Sequence, residues 1–270
     1  MDNTQIVKRF YDENVESEWE RLERHPVEFE ITKRYLARYI KPGDEVLDMG
    51  GGPGRYSLFL SEMGCDVTLA DLSPGNVAFA RQKAREAGLN VRAFCMDARE
   101  PSALASEAFD HILLFGPLYH LTDEEDRVKA VRACMDMLKH GGTLFAAFIS
   151  SFAVTWDFLS RIPECIIEKD IQESLSLLTE DKSFSGLTFT ESHLVRPGDV
   201  ERFMQQFGLK KLHIMSAEGF LSLRERELTA LPAEVINAWI NIAEKVCERE
   251  DLLSMAMHFV YIGKKPARGI

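Results

Sequence analysis

The stretch whose residue types and spacing point most directly to chemistry is Asp48-Met49-Gly50-Gly51-Gly52-Pro53-Gly54-Arg55. A short apolar run, Glu45–Met49, leads through an acidic residue into a glycine-dense turn. Glycines at 50, 52 and 54 let a backbone bend tightly and approach a ligand with no side chain in the way. Open α/β sheets build nucleotide-type sites in this manner, at the carboxyl end of the first strand. The spacing narrows the choice of ligand. A dinucleotide fingerprint reads G-x-G-x-x-G, and here Arg55 stands where its third glycine belongs. A P-loop ends in Gly-Lys-Ser/Thr, which is absent. Further along, His120 in Gly116-Pro117-Leu118-Tyr119-His120-Leu121 and His193 in Thr190–Arg196 are side chains able to take a proton near neutral pH.

These residues need elements to position them. Two amphipathic helices are predicted over 3–23 and 27–40, and Lys41-Pro42-Gly43-Asp44 then turns the chain. From there strands at 45–49, 66–70, 91–95, 109–115 and 143–149 alternate with helices. Ser73 and Pro74 open one helix as cap and first-turn residue, and Gly88 closes it. The 109–115 run is apolar almost throughout, as suits a strand covered on both faces. Such alternation predicts an α/β fold with a doubly wound, mostly parallel sheet joined by right-handed crossovers. After 151 the rhythm changes. Residues 153–180 read as helix, with Leu175 and Leu178 on its apolar side, and 183–196 as a mixed polar and aromatic segment. A helix at 199–207, a strand at 210–216, a helix near 233–249 and a strand at 256–263 bring the sheet to seven strands. The chain therefore divides into an N-terminal helical cap (1–40), a core (41–150), a helical lid insertion over the carboxyl ends of the strands (151–196) and a segment completing the sheet (197–270).

Composition excludes several classes. With 270 residues and 46% hydrophobic content the chain can bury a full core. A formal net charge of −11 gives no general attraction to nucleic acid or anionic membranes. The five cysteines are scattered, with no pair at metal-binding spacing, so no metal is expected. The first residues lack a basic segment followed by an apolar run, and no stretch approaches a membrane span. These features read as a cytoplasmic protein with no membrane partner.

The pattern Asp48-x-Gly50-x-Gly52-x-Gly54 resembles the first motif of the class I S-adenosylmethionine (SAM)-dependent methyltransferases, whose sheet is Rossmann-like. The resemblance covers about residues 40–150. Asp71, 23 positions after Asp48, stands where the family places an acidic residue on the ribose hydroxyls. Asp97-Ala98 matches the pair that meets the adenine. Asp110–Gly116 matches the fourth strand, and Leu138-Lys139-His140-Gly141-Gly142 is similar to the family's Leu-Lys-Pro-Gly-Gly turn, with His for Pro. The run at 116–121 is like that of a small-molecule subset. The resemblance implies SAM as cofactor and S-adenosylhomocysteine (SAH) as product. It implies cofactor contacts at Tyr11, Asp48, Gly50, Gly51, Gly52, Asp71, Leu72, Asp97, Ala98 and Phe115.

Methyl transfer to a small-molecule acceptor by in-line displacement follows from this, in a monomer or homodimer. His120 is the expected base because it follows the fourth strand, His193 is the second choice, and Tyr119 is an orienting group. Tyr119, His120, His193 and Tyr11 also have plain packing roles open to them. Two other readings stand beside this one: methylation of a protein, and SAM binding without turnover.

Overall fold

A computed structural model describes residues 3–104, 106, 108–175 and 182–267. Among them nine strands form one sheet: β1 (Glu45–Met49), β2 (Asp66–Asp71), β3 (Val91–Cys95), β4 (Phe109–Leu114), β5 (Leu138–Ser150), β6 (Phe184–Leu187), β7 (Glu191–Val195), β8 (Lys210–Ser216) and β9 (His258–Lys264). The order β3-β2-β1-β4-β5 is parallel throughout, the product of repeated crossovers. β9 runs antiparallel along β5 from Thr143 to Ile149, and β8 pairs antiparallel with β9. The fold is thus the doubly wound, mostly parallel α/β sheet predicted, with its seven strands present and two more added.

Period-two alternation divides the core between the two faces. Ile112, Leu114, Leu144 and Ala146 pack with Val131 and Cys134 of the Glu124–Met137 helix and with Val200 and Met204 of Pro197–Gln205. Leu113, Phe115, Phe145 and Ala147 point the other way. They meet Ile31 and Leu36 of Pro26–Tyr39, Leu60 of Arg55–Glu62, and Ile240 and Ala243 of Ala233–Val246.

Several boundaries differ from the sequence reading. The first helix is two, Asn3–Glu13 and Val15–Arg24, broken at Asn14, whose side chain donates to the Phe10 carbonyl at 2.7 Å. β5 begins at Leu138 instead of 143, with a register shift against β4 between Phe109 and His111. The 153–180 helix stops at Arg161, because Pro163 disfavours a helical residue before it; a 3-10 turn at Pro163–Ile167 and a short helix at Lys169–Ser174 follow. Leu178 lies outside the described residues.

The largest difference is the lid. Residues 184–195 form a β-hairpin, β6–β7, and not part of a helical insertion. Its inward positions include Ser192, fully buried but polar, so the alternation does not show as an apolar period. β7 pairs in parallel with Ile149 and Ser150 of β5. Since β9 holds the other edge of Ile149, the hairpin occupies the β4 side of β5, beyond the carboxyl end of β4.

Candidate active site

Every strand from β1 to β4 ends at one cavity, with about 1100 Å³ of non-protein space, part of it open to solvent. β1 delivers Asp48 and the loop Gly50-Gly51-Gly52. β2 delivers Asp71 and Leu72, β3 leads to Asp97 and Ala98, and β4 to Phe115. The short Pro117–His120 helix adds Tyr119 and His120, and the Asn3–Glu13 helix lays Thr4, Val7, Lys8 and Tyr11 across the opening. All the sequence-predicted residues line this cavity except His193. That side chain bonds Ser185 Oγ across the hairpin, 2.7 Å from its Nδ1, and lines a different cavity.

Close packing explains two of the glycines. Gly50 has φ +80°, and a Cβ there would lie 2.4 Å from the Phe115 carbonyl oxygen. A Cβ on Gly51 would lie 2.7 Å from Asp48 Oδ2. The loop is therefore pinned between β4 and its own preceding aspartate. Asp48 is fully buried and accepts from Ser57 Oγ at 2.7 Å, while its Oδ1 has no partner. Burial pushes this carboxyl up to about 6, against the hydrogen bond from Ser57. It supports the loop from beneath.

Asp71 knits the site together. Its Oδ2 accepts from the Gly52 amide at 2.8 Å, and its Oδ1 from the Ser73 amide at 2.9 Å and Asn76 Nδ2 at 3.2 Å. A carboxylate offers about four lone-pair positions, so one remains on Oδ2. Burial raises the carboxyl above its ordinary value, opposed by these three donors. Asn76, which the sequence reading missed, lines the cavity with a buried Oδ1 that has no partner. Its place in the first turn after Ser73-Pro74 was the available signal. Asp97 is occupied: the Arg99 amide donates to it at 2.8 Å, and the Arg99 guanidinium clamps both oxygens, with Nη2 at 2.6 Å from Oδ2. Burial opposes ionisation there, yet Arg99 outweighs it and holds the group below its ordinary value.

His120 has its proton assigned by its neighbours. Nδ1 lies 3.1 Å from the Glu191 carbonyl, which can only accept, so Nδ1 carries the hydrogen. Nε2 then accepts from the Tyr11 hydroxyl at 2.6 Å. The ring is 9% exposed, and burial drives its pKa down to about 4, leaving it neutral. Tyr119 packs edge-on at 4.8 Å between ring centroids, its hydroxyl raised by burial.

A second group was invisible in the sequence. Arg21 lines the cavity and donates to Glu28 through both terminal nitrogens, at 2.6 and 3.1 Å. Burial raises the Glu28 carboxyl, but Arg21 and His258 more than offset this and hold it at about 2. Glu28, Glu218 and His258 converge with ligating atoms within 4.8 Å of one another. Glu28 already serves Arg21, and Glu218 accepts from His258 Nδ1. Positions 28, 218 and 258 carry no spacing signal.

Residues 46–142 match the family described as "Methyltransferase domain". A ubiquinone biosynthesis O-methyltransferase from Xanthomonas campestris pv. campestris (strain B100) is 33% identical over 114 residues, 42% of this chain and 46% of that protein. A glycine/sarcosine N-methyltransferase from Parasynechococcus marenigrum (strain WH8102) is 33% identical over 144 residues, 52% of this chain and 51% of that protein. The chain thus spans about half the length of the curated relatives it matches. Magnesium protoporphyrin IX methyltransferase from Synechocystis PCC 6803, solved with SAH, superposes with TM-score 0.59 at 14% identity, covering 98% of this chain and 100% of that one. At that identity the likeness is one of fold. Residues 46–142 thus match a methyltransferase domain and lie on a Rossmann-like sheet, and SAM is the cofactor of the class they resemble.

The cavity fits that group. Beside the glycine loop, Asp71 Oδ2 keeps a lone pair and Asn76 Oδ1 is unpartnered, two acceptors for two hydroxyls. Among the described residues, no helix is long and apolar enough to cross a membrane.

Proposed function

We propose that the chain is an enzyme that transfers a methyl group from SAM to a small-molecule acceptor. The observation that carries this reading is that one cavity unites the glycine loop and Asp71 with a neutral histidine whose Nε2 bears a lone pair. Asp71 and Asn76 receive the ribose hydroxyls, Leu72, Ala98 and Phe115 pack the apolar parts, and Asp97, steered by Arg99, faces the adenine. Bound there, SAM supplies a methyl group already activated by its sulfonium.

The chain's own residues do the rest. Tyr11 and the Asn3–Glu13 helix cover the site and exclude water, which strengthens every polar contact inside. His120 takes the proton of a hydroxyl or amine acceptor at Nε2 after the Tyr11 hydroxyl gives way. A histidine held near pKa 4 is a weak base, so it takes the proton late, as the acceptor's new bond to carbon raises its acidity. The Glu191 carbonyl keeps the other ring proton on Nδ1 throughout. Tyr119 orients the acceptor, and acceptor choice rests with residues 151–196, including the hairpin beside the Pro117–His120 helix.

The two relatives' names support a small acceptor, one methylating oxygen and the other nitrogen. The test is SAH release from SAM with a metabolite extract. His120→Ala should lower turnover about 10²–10⁴-fold while SAH affinity is retained. Tight SAM binding with no turnover on any acceptor pool would instead identify a binding protein.

A further inference from the structure

Behind the β6–β7 hairpin lies a second cavity that shares no lining residue with the first. Arg127, Phe148, His193, Asp199, Arg202 and Phe203 bound it. Arg127 is the unusual member, because its side chain is charged and yet only 5% exposed. Its Nη1 donates to the Leu121 and Thr122 carbonyls at 2.7 and 3.0 Å, and its guanidinium sits 6.0 Å from the Phe203 ring centroid. Among the described residues it makes no ion pair; Glu124 and Asp123 act on it only at a distance. Burial consequently pushes this guanidinium below its ordinary value. A buried cation without a hydrogen-bonded counter-charge is costly.

Neither acid of the lining supplies that counter-charge by contact: Glu124 makes no ion pair with Arg127, and Asp199 is already engaged. Asp199 is taken by Arg196 at 3.0 Å, Arg202 at 2.8 Å and Ser183 Oγ at 2.8 Å. His193 adds no charge of its own: burial, then the positive field of Arg127, hold it down at about 4. Arg127, Lys182, Arg196 and Arg202 outnumber Glu124 and Asp199 in the lining, an excess of basic residues in a chain of net charge −11.

We propose that this cavity is a second ligand site, one that binds a small oxyanion bearing a carboxylate or phosphate group with Arg127 as its buried anchor. Arg127 Nε and Nη2 provide the paired N–H donors that such a group accepts side by side. The remaining nitrogen already holds the carbonyls of Leu121 and Thr122, which directly follow Tyr119 and His120. One side chain therefore joins the occupant of this cavity to the segment that carries the candidate base. The proposal does not depend on the methyl-transfer reading.

Calorimetric titration of the full chain with inorganic phosphate, and separately with succinate, tests it. Ionic strength is fixed with sodium chloride, and each titration is run with and without SAH. Saturable binding of at least one anion, indifferent to SAH, is expected, and the tighter of the two identifies the source of the oxyanion. Arg127→Lys keeps the charge but loses the fork and should weaken binding about tenfold. Arg202→Gln, at a side chain 73% exposed, should weaken it about two- to threefold. The absence of saturable binding by either anion, displacement by SAH, or unchanged affinity in both variants would overturn the site. Should Arg127→Lys fail to fold, Arg202→Gln decides alone, and unchanged affinity there overturns it.

Discussion

In a two-bond proton–nitrogen spectrum, His120 should appear as a neutral ring protonated on Nδ1 from pH 8 down to about 5. The magnitude comes from its surroundings: burial moves its pKa from 6.5 to about 4. At about 1.4 kcal/mol per unit, this is about 3 kcal/mol in favour of the neutral ring. The sign for stability follows, since the folded value lies below the unfolded one. The contribution is complete above pH 6.5 and is lost as pH falls towards 4, where the unfolded chain takes up a proton that the folded chain refuses. The perturbation is Tyr11→Phe. It removes the donor to Nε2, a bond worth about 1 kcal/mol to the neutral form, and should raise the ring's pKa by about one unit or less. Titration of the wild-type ring near 6.5, or a hydrogen on Nε2, would refute both the proton assignment and the proposed role as base.

Three other substitutions probe the loop. Asp48→Asn should stabilise the protein by about 1–3 kcal/mol at pH 7.5 and little at pH 4, because the raised pKa makes the ionised carboxyl costly as pH climbs from 3.8 through about 6; equal shifts in melting temperature at both pH values would contradict this. Asp71→Ala should weaken SAM binding by about 1–3 kcal/mol in calorimetry, and an unchanged Kd would remove Asp71 from the ribose contact. Gly50→Ala should cost more than Gly88→Ala by about 1–3 kcal/mol in urea unfolding. Both have positive φ, but only at Gly50 would the new Cβ collide with backbone; similar midpoints would count against the close approach of the loop to Phe115.

Much of the framework was legible because its signals are local. β1–β4 end on residues that motif spacing marks out, and Asp71 follows from counting along the chain. The turn chemistry at Ser73-Pro74 and Gly88 gave a helix observed at Pro74–Ala87, with Asn76 N donating to Ser73 Oγ. The hairpin was not legible, since a fully buried serine at 192 hides the apolar period on which strand prediction rests.

What the sequence by itself determined is the glycine-loop end of the cavity: the acidic-x-Gly-x-Gly-x-Gly loop and the carboxylates that end β2 and follow β3 are set by backbone geometry within short segments. What only the tertiary structure decided is the state of the groups that would act. His120 is neutral because burial lowers its pKa, and its hydrogen sits on Nδ1 because the Glu191 carbonyl, 71 residues away, accepts from it there while Tyr11, 109 residues away, donates to Nε2. His193 and Arg127 meet in a separate cavity because the hairpin crosses beyond the end of β4. A proton's position and a charge's counterpart depend on which distant groups burial brings into contact, and no spacing along the chain records that.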